Sequence, residues 1–195
     1  FKQERAGEGG EMLLAVAGEA QQGENLIANP DFEEGLEDWE IISPVGESAK
    51  VELVSDGARE GQHSLHAANS DEQDLRPVGV RQSVAVEGGQ RYLLSVQAKN
   101  TALKSSGGIR ITVLDGAGNR LRQSWPVQLP NWEVPWRLVE RTTRLPGKAA
   151  TIEVLLAVNG LGEAWFDQVS LTRQESAPNP AEQEVEQIPA GISVT

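Results

Sequence analysis

Apolar residues recur at every second position through most of the middle of this chain, and that period of two dictates its architecture. Tyr92, Leu94, Val96 and Ala98 follow it, as do Ile109, Ile111 and Val113, and Ile152, Val154, Leu156 and Val158. In an extended strand this spacing places one set of side chains on a single face, ready to be buried. With these three, ten short segments read as strands: Trp39–Pro44, Ala49–Ser55, His63–Ala68, Val78–Val86, Arg91–Asn100, Ile109–Asp115, Leu121–Gln128, Trp136–Leu145, Thr151–Val158 and Ala164–Thr172. Turn signals separate them at Asp56-Gly57, Glu87-Gly88-Gly89, Ser106-Gly107-Gly108, Asp115–Gly118, Pro146-Gly147 and Asn159-Gly160. No segment carries the period of a long helix. Many short strands at this spacing predict an all-β fold, a sandwich or barrel of antiparallel strands.

The last of these segments poses a charge problem. Strict alternation puts Trp165, Asp167, Val169 and Leu171 on one face, and three of the four are apolar. That face is expected to be buried, which leaves Asp167 as a carboxylate at the edge of a core. Such a group needs a partner charge, a metal or hydrogen bonds. No Lys or Arg lies within the strand. Near the other end of the chain, Asp31, Glu33 and Glu34 crowd into the segment Asn25–Trp39. Bringing the two ends together makes an oxygen-rich pocket suited to calcium. A second reading stays open, in which Glu33 and Glu34 are solvated and Asp167 accepts backbone hydrogen bonds.

The motifs NLIANPDFEEGLEDWE, EGQHSLHA, VRQSVAVEGGQRYLLSVQAKN, WRLVERTTRLPG and AWFDQVSL occur in that order. With them, residues 25–172 resemble a carbohydrate-binding module of the family 4, 9 and 22 group, a galactose-binding-like β-sandwich. The resemblance implies a jelly roll of two antiparallel sheets, flanked by an N-terminal tail (1–24) and a C-terminal tail (173–195). It also implies a structural calcium. Its ligands would be the side chains of Glu33, Glu60 and Asp167 and the backbone carbonyls of Asp31 and His63.

Sugar-binding modules stack pyranose rings on exposed aromatics, and this chain has five tryptophans, three phenylalanines and one tyrosine. By the resemblance, Trp39, Tyr92, Trp136, Trp165 and Phe166 are core residues. Trp125 and Trp132 are left as stacking candidates. Gln97, Arg110, Gln123, Gln128 and Glu140 are the polar groups placed to bond sugar hydroxyls. Packing of both tryptophans under their proline-rich loop is the other reading. Arg141 breaks the expected pattern, because it stands at an inward position between Val139 and Thr143.

Charge is uneven. The net charge is −12, and residues 25–60 hold ten acids against two bases. There is no basic stripe to meet phosphates, so nucleic acid is not an expected partner. The absence of cysteine excludes disulfides and thiolate metal sites. No apolar run reaches the ~20 residues of a membrane span. The chain starts at Phe1, which reads as a processed protein or a fragment. No nucleophile elbow, P-loop or zinc-protease motif is present, and His63 and His66 are poor joint ligands. The expectation is a non-catalytic, extracellular or cell-surface module that binds polysaccharide. The alternative is a structural subunit of a surface filament or extracellular matrix. In that case the apolar stretches Met12–Ala17 and Val185–Val194 pair with neighbouring copies to give a homo-oligomer.

Overall fold

The computed structural model describes residues 23–43, 48–55 and 58–174. Its strands are β1 (Glu40–Ile42), β2 (Ala49–Val54), β3 (Ser64–Asn69), β4 (Pro77–Ala85), β5 (Arg91–Asn100), β6 (Ser106–Asp115), β7 (Arg120–Gln128), β8 (Val134–Arg144), β9 (Ala149–Asn159) and β10 (Gly162–Gln174). Each of the ten expected strands is there. Among the described residues there is no helix, hence none long and apolar enough to cross a membrane. The tail segments Met12–Ala17 and Val185–Val194 lie outside the described residues, as does the Asp56-Gly57 turn.

Two five-stranded antiparallel sheets face each other. Sheet I has the order β2-β3-β10-β5-β8, and sheet II the order β1-β4-β9-β6-β7. From β5 onward the chain crosses between sheets after every strand except the β6–β7 hairpin. The alternating residues do what their spacing requires. Leu94, Val96 and Ala98 of β5 face Ile109, Ile111 and Val113 of β6 and Ile152, Val154, Leu156 and Val158 of β9, all fully buried. Each large side chain removed from water there contributes about 1.5–3 kcal/mol. Tyr92 is buried too, and its hydroxyl accepts a hydrogen bond from the Glu87 amide at 2.9 Å.

The ends of the sandwich are tied together by the first described residues. Asn25 bridges Thr172 of β10. Its side chain donates to the Val169 carbonyl (3.0 Å) and accepts from the Leu171 amide (2.9 Å). Gln82 of β4 reaches the same segment, accepting from the Ala28 amide and donating to the Ala28 carbonyl. Asn29 closes the following turn on the carbonyls of Gly35 and Glu37, and Trp39 donates its indole N–H to the Asn29 carbonyl.

Three expectations about faces and turns need correction. Ser106-Gly107-Gly108 is the start of β6, not a turn. Trp136 lies on the outer face of sheet I, because the inward side chains of β8 are those in register with Tyr92, Leu94, Val96 and Ala98, namely Thr143, Arg141, Val139 and Arg137. Arg141 is therefore inward in register, as expected, yet exposed, since β8 is the sheet edge. The third correction concerns β10. Ala164 and Phe166 are its core-facing residues, and a bulge between Asp167 and Ser170 resets the register. Gln168 adopts a φ of 49° there. Val169 and Leu171 thus return to the core while Trp165 and Asp167 point outward.

Gly79 marks how closely β4 and β9 approach. A Cβ at this position would lie 1.8 Å from the Leu156 carbonyl oxygen. Gly79→Ala should cost at least about 2 kcal/mol, by overpacking against backbone that cannot move aside. Gly116→Ala, in an open hairpin turn with no atom within 4 Å, should stay within about 0.5 kcal/mol of wild type. Denaturant titration of both variants checks the contrast.

Candidate functional site

Asp167 points away from the core and is nevertheless fully buried. The loop before β3 covers it. Its Oδ2 accepts hydrogen bonds from the amides of Arg59 (3.0 Å) and Glu60 (3.1 Å), and its Oδ1 accepts one from Gln168 (2.8 Å). Glu33 does the same for the other end of that loop, accepting from the amides of Gln62 (2.7 Å) and His63 (2.8 Å). Glu60 accepts from the Gln168 side chain. The Val169 amide bonds to the Pro30 carbonyl, which brings the Asp31 turn alongside. The chain segments carrying Asp31 and Glu33, Glu60 and His63, and Asp167 thus lie side by side.

Their electrostatics differ. Burial raises the Asp167 pKa above the ordinary aspartate value, the three amides pull it back, and nearby Asp31 raises it further. The Glu33 pKa is lowered, first by the His63 amide and then by the Gln62 amide. Among the described residues no salt bridge reaches Asp167, and no three His, Asp or Glu side chains converge on one point. The chemistry still suits a hard cation. Asp167 has a lone pair left on Oδ1, and among the described residues Glu33 Oε2 is met only by the His63 imidazole at 3.5 Å.

The second site is the outer face of sheet II. Trp125 sits in edge strand β7, followed by Pro126, which has no N–H to give the ladder. The register with β6 shifts here, so that Trp125 and Pro126 together stand opposite Arg110. The bulge turns the indole over the guanidinium, whose carbon is 5.8 Å from the ring centroid. Arg110 is set in a rung with Leu155 and Arg81. Arg81 is committed, to Glu40 at 2.7 Å and Glu153 at 3.4 Å. Arg110 is not: its Nε is buried and, among the described residues, without a partner. Burial lowers its pKa, with Glu153 opposing that shift. Gln123, exposed, donates to Thr112 of the neighbouring strand (3.3 Å) and keeps its amide oxygen for other partners. Gln128 is exposed farther along β7.

The seven residues expected to serve sugar binding therefore divide. Trp125, Arg110, Gln123 and Gln128 belong to the outer side of sheet II. Gln97 and Glu140 are on the outer side of sheet I, where Gln97 pairs with Leu138 and Glu140 with Ser95. Trp132 is 65% exposed in the β7–β8 loop. That loop is held by Asn100, whose side chain donates to the carbonyls of Pro130 (3.1 Å) and Trp132 (3.0 Å). Sequence reasoning missed Asn25, Asn29, Gln82 and Asn100, the buried or half-buried amides that fix these loops. It also missed a row of aromatic and charged side chains across sheet I. There His66 stacks on Trp165 (4.5 Å between centroids, 10° between planes), and the Lys99 ammonium lies 4.8 Å from the Trp165 ring and 5.2 Å from that of Trp136.

No protein-family profile matches the sequence, and no curated protein does. Solved structures do match. The enzymatically active domain of bacteriophage CBA120 tailspike protein 4 superposes with a TM-score of 0.63 at 18% identity, over 76% of this chain and 21% of that one. The CBM22-1 xylan-binding domain of Xyn10C from Paenibacillus barcinonensis gives 0.56 at 16% identity, over 80% of this chain and 97% of that one. A family 16 carbohydrate-binding module gives 0.54 at 18% identity, over 75% and 99%. The chain thus spans about a fifth of the tailspike domain and nearly the whole of the two modules. At these identities the likeness is one of fold, a two-sheet antiparallel β-sandwich shared with these modules.

Proposed function

We infer that this chain is a non-catalytic module that binds a neutral polysaccharide of the xylan type through the outer face of sheet II. The observation that carries this reading is the pairing of Trp125 with Arg110. A half-buried indole offers an apolar surface to the C–H face of a pyranose ring. Beside it stands the Arg110 guanidinium, which forms no salt bridge among the described residues and can offer its outer N–H groups to ligand hydroxyls. Gln123 and Gln128 supply amides for further hydroxyls, and Trp132 a second ring from the following loop. The xylan-binding domains among the structural neighbours support the same reading. Gln97 and Glu140, on the other sheet, take no part in this site. An extracellular or surface setting goes with such a ligand.

A structural calcium belongs to the proposal. Glu33, Glu60 and Asp167 would hold it, with the carbonyls of Asp31 and His63. What supports it is the buried Asp167 carboxylate, which has hydrogen bonds but no ion pair among the described residues. The ion would neutralise that charge and fasten the Asp31–Glu33 turn to β10.

Titration calorimetry with xylohexaose should give a dissociation constant of about 10–1,000 μM, or on the order of −4 to −7 kcal/mol. Trp125→Ala should abolish the heat while the melting temperature stays near that of wild type. Unchanged binding in this variant would move the site elsewhere.

Calcium added to chelator-treated protein should raise the melting temperature by mass action on the folded state. The rise should vanish in Asp167→Asn. A melting curve indifferent to calcium in demonstrably metal-free protein rejects the ion.

In chelator, Asp167 should show an inverted pH signature. Its folded pKa lies above the unfolded value of about 3.9, so its contribution is full below that value and is lost as pH rises through the folded one. Glu33, with a lowered pKa, has the opposite sign: its contribution is present above the unfolded value and is lost as pH falls through the folded one. Asp167→Asn should therefore gain on wild type as pH is raised from about 3 to 7. A stability difference that does not change with pH would contradict this.

A further inference from the structure

The outer face of sheet I, turned away from Trp125, carries one continuous rung across all five strands. Register places Glu52 of β2 opposite His66 of β3, His66 opposite Trp165 of β10, and Trp165 opposite Lys99 of β5. Lys99 in turn lies between two rings, with Trp136 of β8 on its other side. Each member constrains the next. Glu52 and Glu163 hold the two nitrogens of His66, at 3.0 and 3.1 Å. His66 stacks on Trp165, and Trp165 with Trp136 fixes the Lys99 ammonium. Both faces of Trp165 are thereby occupied, by imidazole and by ammonium, so this ring stacks no sugar.

What the rung presents is a cation. Among the described residues Lys99 forms no ion pair, and the two indoles that hold it attract its charge without accepting its three N–H bonds in the usual geometry. An ammonium anchored in this way is set to receive an anion. Its surroundings agree. In a chain of net charge −12, the outer side of β5 and β8 carries Arg91, Lys99 and Arg144 against one acid, Glu140, while the carboxylates of Glu52 and Glu163 are turned to His66. Next to Lys99 on the same outer face come Gln97 and Leu138, the latter 55% exposed. Cation, amide, carboxylate and exposed aliphatic surface therefore lie within two rungs of one another.

We propose that this face is a second saccharide site, selective for acidic sugars: a uronate residue would place its carboxylate on Lys99 and its apolar ring face on Leu138, with Gln97 and Glu140 bonding hydroxyls. The site does not depend on the Trp125 site. A chain carrying both would hold a neutral and an acidic polysaccharide on opposite faces of one sandwich.

The test is titration of the full chain with an oligogalacturonate, an uncharged xylohexaose and a polyglutamate of matched charge, followed by tryptophan fluorescence and calorimetry. The oligogalacturonate should bind and should weaken severalfold when salt is raised from 0.05 to about 0.5 M, as expected for a screened ion pair. Lys99→Gln should weaken it at least tenfold and leave xylohexaose unchanged. Leu138→Ser, on the exposed side of an edge strand, should weaken it without altering the fold. Trp125→Ala should spare it. The proposal is overturned if oligogalacturonate does not bind, if Lys99→Gln binds it as wild type does, or if Trp125→Ala loses it. Polyglutamate binding as tightly as oligogalacturonate also overturns it, because the face would then collect any anion. Failure of xylohexaose alone counts against the neutral-sugar site and leaves this one standing.

Discussion

A carboxylate buried without a charged partner among the described residues organises one end of the sandwich. Asp167 leaves the core-facing row of β10, and the amides of Arg59, Glu60 and Gln168 turn inward to meet it. That requirement fixes the loop before β3. The same loop donates its next amides to Glu33, so the N-terminal turn is fixed as well. Gln168 adopts a left-handed φ at the bulge, a conformation costly for a residue with a side chain. The surrounding bonds, from Asn25 to Val169 and Leu171 and from Val169 to Pro30, hold it there. One buried charge thus sets the path of three chain segments that are far apart in sequence.

The strands were legible because alternation is a local property, and each of the ten can be read without knowing its neighbours. Which face a given aromatic takes was less legible. Trp165 and Phe166 are adjacent and both apolar, and alternation alone does not say which of them enters the core. The answer depends on the bulge at Gln168, which no glycine or proline announces. Trp136 escaped for a related reason. Its strand is an edge, so its inward positions hold Arg137 and Arg141 and the apolar pattern is inverted. Trp125 is the counter-example. Pro126 after it is a visible sign that the ladder breaks there.

The candidate sites were legible in kind more than in grouping. The approach of the Asp31–Glu33 turn to Asp167 was readable from charge, while the Glu60–His63 loop entered only through the family resemblance. The polar residues suggested for sugar binding were chosen along the sequence, and strands close in sequence fall on different sheets here. β7 ends sheet II and β8 ends sheet I, so Gln128 and Glu140, twelve residues apart, face opposite directions. The anchoring amides were illegible because an isolated Asn or Gln reads as solvent-facing. Asn100, 2% exposed, spends its side chain on backbone carbonyls instead.

The pairing of Asn25 with Thr172 has a mechanical meaning. The first and last described residues leave the sandwich side by side, and Gly23 lies so close to β10 that a Cβ there would come 2.9 Å from the Arg173 carbonyl oxygen. Tension arriving along the chain from both directions would not pull across the sheets. It would load the hydrogen bonds between Asn25 and the end of β10 first, and open them one at a time. The interlocked centre of each sheet would carry force only after this clasp has parted, so this joint is the fuse of the fold.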